Sequence, residues 1–301
     1  MKRLHRVPFR FLTYFTALLL LASTSNAQFH NKPIKKKKKD SFKKDQWYLG
    51  LRGGINWSTV SPGERYADFI DIQANLNAEL PDQKEYNGFS ENVGSQAGLS
   101  LIYAHSSDLQ ISLQAMFSHM NYSYTRYYEW TDAENGDNTV SFQYDHEVGV
   151  NYLELPLILR YSFGNGRLKP HVLGGGYYGY FISARKSVTT TGVDEASGGV
   201  NEFSQGEQST DADPLFIRSN LGWLAGAGAE YNLGNVVFVL DITYRQGLNN
   251  VISEKNRYSA TRQFIGFGNV QDNLSLNNIT TNVSIVFPLK FFTRDYNPVV
   301  L

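Results

Sequence analysis

The chain has no cysteine among its 301 residues, so no disulfide framework holds it together and no lipid-bearing cysteine follows its N-terminal leader. Beyond the first 27 residues it has no apolar run of the ~20 residues that a spanning helix needs. Any passage through a membrane must then be made by a closed barrel, because inside lipid every backbone polar group needs a partner. Net charge is lacking too, at a formal +0, but the balance hides a strong segregation along the chain. The six histidines have no metal-ligand spacing such as HxxxH. No glycine-rich loop follows a strand and opens a helix to cradle a nucleotide. Neither a metal nor a cofactor is implied.

What is present suits strands. The 19 tyrosines, 19 phenylalanines and 26 glycines fit many strands with aromatics at their ends. Residues 1–27 carry Lys2, Arg3, Arg6 and Arg10, then an apolar run from Phe11 to Ala22, then the small-x-small ending Ser25-Asn26-Ala27. That order is a cleavable secretory signal, with cleavage expected before Gln28. In residues 28–46, eight lysines, among them Lys35, Lys36, Lys37, Lys38 and Lys39, stand against Asp40 and Asp45. With little to pack, this segment is expected to be a disordered basic arm. An exported chain does not meet nucleic acid, so the arm fits anionic lipid headgroups or an acidic envelope protein, unless it is a solvated tether.

Asn151 to Phe163, NYLELPLILRYSF, carries the fold argument. Side chains of a strand alternate, so Leu153, Leu155, Leu157, Leu159, Tyr161 and Phe163 share one face and Glu154 and Arg160 lie on the other. An apolar face beside an ionic one is what a strand between lipid and a polar lumen requires. The pattern recurs, and eight strands are expected: Trp47–Trp57, Gly94–Tyr103, Leu109–Phe117, Asn151–Phe163, Leu168–Arg185, Phe216–Tyr231, Val236–Arg245 and Asn278–Leu289. In the fifth, Gly174-Gly175-Gly176 permits sharp curvature and leaves the facing ambiguous.

Connections test this independently. Those at residues 58–93, 124–144, 186–215 and 246–277 are long. Those at His105–Asp108, Gly164–Gly166 and Asn232–Asn235 are tight and of turn-forming composition. Long outer loops alternating with short periplasmic turns describe an all-β, eight-stranded antiparallel transmembrane barrel over residues 47–289, followed by a tail, residues 290–301. The expected site is the outer membrane, with outer-membrane lipid around the barrel and both termini periplasmic. Trp47, Tyr103, Tyr161, Phe163 and Tyr231 are expected in one interfacial belt, and Trp57, Tyr122, Tyr124, Tyr127, Tyr128, Trp130 and Tyr144 in the other.

NYLELPLILRYSF, then KPHVLGGGYYGYFISA, GWLAGAGAEYNLG and DITYRQGLNN, and a last strand rich in Asn, Thr and Val resemble the PorT-like outer-membrane β-barrel family of Bacteroidota. The resemblance runs from about Trp47 to Leu289. It implies an eight-stranded outer-membrane barrel, and it implies a place in type IX secretion and gliding for some members only. The lysine run and the tail depart from the family pattern.

By alternation, Arg52, Glu154, Arg160, Arg218, Glu230, Asp241 and Arg245 point into the lumen. Eight strands leave room for little more than side chains. Near balance of sign then predicts a plug of ion pairs, whereas a selective pore would carry an excess of one sign. The first three long loops are acidic, suited to a cationic partner, to divalent ions or simply to solubility. In the first, Phe69, Ile72, Leu76 and Leu80 recur at helical spacing. His119, Asn121 and Ser123 resemble the lipid-facing Ser, His and Asn of an outer-membrane phospholipase, but no group in the sequence is placed to orient the imidazole. The chain is therefore read as a non-enzymatic barrel, an accessory of secretion or gliding machinery that docks envelope proteins. The alternative is a stand-alone barrel for adhesion, envelope integrity or small-solute passage.

Overall fold

The computed structural model describes residues 42–66, 84–132, 134–136, 138–164, 166–234, 236–257 and 270–289. The secretory signal, Lys35 to Lys39, the helical spacing at Phe69 to Leu80 and the tail lie outside these residues. The strands are β1 (Gln46–Pro62), β2 (Glu85–Tyr86), β3 (Val93–Ala104), β4 (Leu109–Thr131), β5 (Thr139–Ser162), β6 (Leu168–Asp194), β7 (Asn201–Asp211), β8 (Ser219–Asn232), β9 (Val237–Gly247) and β10 (Leu274–Pro288). Among the described residues no helix is long and apolar enough to cross a membrane.

Eight of the strands close into an antiparallel ring. In order round it they are β1, β3, β4, β5, β6, β8, β9 and β10, and β1 closes the circle by pairing with both β3 and β10. Closure leaves no free edge inside the apolar belt, so each backbone group there has a partner. Alternation sets the two faces. One row round the wall runs Phe287, Leu49, Leu101, Leu113, Leu157, Gly176 and Trp223, and its large side chains are all exposed on the outer surface. Exposed apolar residues cover each strand of the ring in this way. Only lipid makes such a belt stable, since a water-facing surface of this extent would aggregate.

The termini of the ring and its tight turns lie at one end, the turn end, where Tyr48 pairs with both Ile102 and Pro288. Arm residues 42–46 are placed there, contrary to the expected disorder. Phe42 is fully buried with Tyr48, Ile102, Val237, Val239 and Val286, and its ring meets that of Tyr48 at 4.7 Å. A phenylalanine this apolar is drawn out of water into the mouth of the barrel.

At the opposite, far end the strands outrun their expected limits. β4 and β5 pair from Leu109↔Tyr161 up to Thr131↔Thr139, so most of the connection expected at 124–144 is a hairpin. β6 likewise continues to Asp194 and turns back as β7, so much of the expected loop 186–215 is strand. Polar alternating residues hide these extensions, because above the lipid belt a sheet needs no apolar face outward. Three outer-belt expectations also change: Tyr122, Tyr124 and Tyr128 are buried, since even-numbered residues of β4 up to 128 face inward.

Candidate functional site

The lumen is filled in layers. Phe42 and its neighbours occupy the turn end. Met120, Tyr122, Val148, Val150, Tyr152 and Phe181 form part of a second apolar cluster toward the far end. Charged side chains lie between the two. Asp241 on β9 accepts from Arg52 Nη2 at 2.7 Å, from Arg160 Nη2 at 3.1 Å and from His171 Nε2 at 2.6 Å. Glu154 on β5 faces Arg245 through two contacts of 2.8 Å, Nη1 to Oε2 and Nη2 to Oε1, and also accepts from Ser118 Oγ. The guanidinium of Arg245 lies 4.4 Å from the centroid of the Tyr177 ring. Gln110 links Arg160 to Glu230, each at 3.4 Å.

Six of the seven residues expected in the lumen are buried there: Arg52, Glu154, Arg160, Glu230, Asp241 and Arg245. Arg218 is not. It is exposed, with its guanidinium 5.9 Å from the Phe181 ring centroid. Strand β8 begins only at Ser219, so counting alternation back to Phe216 extends the pattern past the end of the strand. Sequence reasoning missed His171 and Lys169, both buried, because the glycine run of β6 obscures which of its faces looks inward.

A second polar cluster fills the far end, above the apolar belt. Lys186 Nζ donates to Tyr124 Oη at 2.7 Å, and the Tyr124 ring stacks on His146 at 4.5 Å. Lys84 pairs with Asp272 at 2.8 Å, and Tyr86 Oη donates to the same carboxylate at 2.8 Å. Burial, and then the neighbouring Lys186, hold the His146 imidazole well below its ordinary range. Burial likewise pushes the Lys186 ammonium down and, reinforced by Asp272, the Tyr86 hydroxyl up. Lys186 reaches this cluster through a register shift. Asn151 pairs with Ser183 but Tyr152 with Phe181, so one extra residue in β6 turns Lys186 inward and leaves Arg185 outside.

On the outer wall, Ser95, His119, Asn151 and Ser183 form one cross-strand row at the rim of the belt. Here the structure supplies the orienting group that the sequence did not reveal: His119 Nδ1 lies 2.8 Å from Asn151 Oδ1, and Asn151 Nδ2 donates to Ser183 Oγ at 2.9 Å. The imidazole leans toward β5, its Nε2 only 3.7 Å from where a Cβ on Gly149 would stand, and Ser95 pairs on the opposite flank. Asn121 and Ser123 are held elsewhere, by Val93 O at 2.7 Å and Asn92 Oδ1 at 2.8 Å. Among the described residues no hydroxyl hydrogen-bonds to His119 Nε2, so the row has an oriented base and no nucleophile beside it. His119, Asn121, Ser123, Asn151 and Ser183 contribute to the wall of an open cleft of about 780 Å³.

Closed ring, outward apolar belt and filled ionic lumen define the class, a membrane β-barrel. The chain belongs to the outer membrane protein beta-barrel domain family, which it matches over residues 26–253; it is an outer membrane β-barrel protein. No curated protein is significantly similar to it. Among solved structures it is similar to the outer membrane protein OprG of Pseudomonas aeruginosa, with 15% identity, a TM-score of 0.35, and coverage of 82% of this chain and 97% of that one. The outer membrane protein W of E. coli gives 14%, 0.34, 82% and 98%. Ail, the attachment invasion locus protein of Yersinia pestis, bound to a heparin analogue, gives 11%, 0.28, 80% and 99%. Likenesses at this level carry no functional argument.

Proposed function

We propose that the protein is a non-enzymatic, non-conducting barrel that works by docking a partner at an end exposed beyond the membrane. The observation that carries this reading is the lumen, occupied in series by Phe42, the Asp241 and Glu154 ion pairs, and the Tyr122–Tyr152–Phe181 cluster. A barrel filled along its length has only its ends and outer wall left to use. Both termini face the periplasm in this reading, with a cleaved signal ahead of the basic arm, and the far end faces outside. The resemblance to PorT-like barrels of Bacteroidota gives the docking a context, an accessory role in type IX secretion or gliding. The second reading, a stand-alone surface barrel for adhesion, is favoured by the sheet that β4 to β7 raise beyond the belt.

Two measurements test this. In a planar bilayer the purified barrel should give no conductance steps, and steady channel openings would refute the filled lumen. Deleting the gene in the native host should impair protein release into the medium, and the intact chain should restore it. Complementation without Lys35 to Lys39 would then report whether the basic arm is a contact. An unchanged secreted set would replace the secretion role with the adhesion role.

A further inference from the structure

Among the described residues, the raised sheet ends in a strand that is paired on one side only. β7 is 11 residues long and all but Thr210 are exposed. Among the described residues it pairs with β6 alone. A row of N–H and C=O groups along such an edge is a template for an added strand, and residues 201–209 offer one roughly 30 Å long at ~3.3 Å per residue.

Its two faces differ in chemistry. Antiparallel partners point to the same side of a sheet, so the row Tyr128, Phe142, Gly192, Phe203 puts Phe203 on the inward face. Phe142 and Phe203 meet edge to face at 5.5 Å. Gly192 makes room for this, because a Cβ there would lie 2.2 Å from Phe203 Cζ. Gln205 and Gln208, opposite the buried Thr190 and Val188, continue that face. The outward face carries Glu202 and Asp211, and Glu207 stands at the register shift between Gln205 and Gln208. Residues 187–217 contain six acids and no lysine or arginine. Two copies meeting edge to edge would set these carboxylates against one another, and like charges directly opposite destabilise a strand pair.

We propose that the outer edge of β7 over residues 201–209 captures an extended cationic segment of another protein by strand addition. The segment alternates basic with apolar residues: lysine or arginine faces Glu202 and Glu207, and an apolar side chain packs beside Phe203. This rests on the docking reading above and gives its partner a chemistry.

The test uses the full barrel in nanodiscs of zwitterionic lipid, with empty nanodiscs as the control, and a fluorescent nine-residue peptide of alternating lysine and valine, read by anisotropy. The peptide should bind, and N-methylation of alternate residues along one peptide edge should abolish binding. Glu202→Lys combined with Glu207→Lys should weaken it about tenfold, two lost attractions and two new repulsions at an exposed site. Folding of the variant is checked by its unheated gel mobility. A peptide of the same composition with lysines and valines in separate blocks binding equally well would overturn strand addition in favour of plain charge attraction. Unchanged affinity after charge reversal would overturn the acidic edge. A barrel dimer that Glu202→Lys disperses would make a second copy the occupant and overturn the proposal. In the host, failure of the charge-reversed chain alone supports the proposal; a normal phenotype after removing residues 187–211 refutes the docking reading itself.

Discussion

Replacing Glu154 by glutamine keeps the side-chain volume and removes one charge from the middle of the lumen, where its side chain is 0% exposed. Arg245 then loses its counter-charge and one of its two 2.8 Å contacts, because the amide nitrogen cannot accept, and keeps a single neutral carbonyl acceptor and the Tyr177 ring at 4.4 Å. A buried cation stripped of its partner costs ~3–5 kcal/mol, most of it the penalty of leaving the charge dry. The ring returns ~0.5–2 kcal/mol of this at most, so Glu154→Gln should lower unfolding free energy by about 3 kcal/mol. Arg245→Met should cost as much, since Glu154 would keep only Ser118. The double variant has no stranded charge and should lie within ~1 kcal/mol of the parent or above it, which makes the two changes strongly non-additive. Guanidinium unfolding in detergent, followed by the four tryptophans and by gel mobility, gives all three values. Single changes that each cost less than ~1 kcal/mol, with a double change equal to their sum, would mean a wet lumen with screened charges and would refute the filled barrel.

Three further outcomes follow from the same geometry. His146 sits below its ordinary 6.5 because burial and Lys186 oppose its charge, so the opened far end takes up a proton that the closed one refuses. Its contribution to far-end stability is whole above about pH 6.5 and falls as pH drops below that value. Amide exchange of residues 142–150, corrected for intrinsic rate, should show protection declining in that window and the decline flattening in His146→Gln. A Cβ on Gly175 would lie 2.0 Å from the carbonyl oxygen of Leu157. Gly175→Val should therefore break the β5–β6 ladder and abolish the heat-sensitive folded gel band, where Gly136→Ala, with open space around it, should leave the band intact. His119→Ala should leave the acyl composition of the outer membrane unchanged, and an altered lipid profile would restore the enzyme reading.

The barrel was legible because lipid imposes a rule that sequence displays: every second residue apolar, in stretches long enough to cross. Leu153 to Phe163 obey it, and so do the opposing Glu154 and Arg160. Where lipid ends the rule ends. Residues 124–131 and 139–144 are strand as regular as any, yet Thr125, Glu129 and Gln143 look outward, so no apolar period marks them and they pass for loop. The same blindness explains His119 and Asn151. They meet through a register fixed by a distant hairpin, which no spacing along one strand records.

Parity fails more deeply in β6. Counting by two from Val172 puts Ile182 outside, as observed, and would put Lys186 outside as well. The extra residue near Ile182 reverses the count, so Lys186 enters the far-end cluster and Arg185 leaves it. Had the strand stayed regular, an arginine would stand beside His146 and Tyr124 in place of a lysine that burial can discharge. The shift therefore decides the chemistry of the far end as well as its packing. Deleting Ile182 should make β6 regular while leaving Ser183 opposite Asn151 and Lys186 opposite Val148, so the pH dependence of far-end protection should survive it, whereas Lys186→Met, which keeps the burial of His146 and removes one opposing charge, should narrow that dependence. An unchanged dependence in Lys186→Met would show that the lysine's charge does not act on His146.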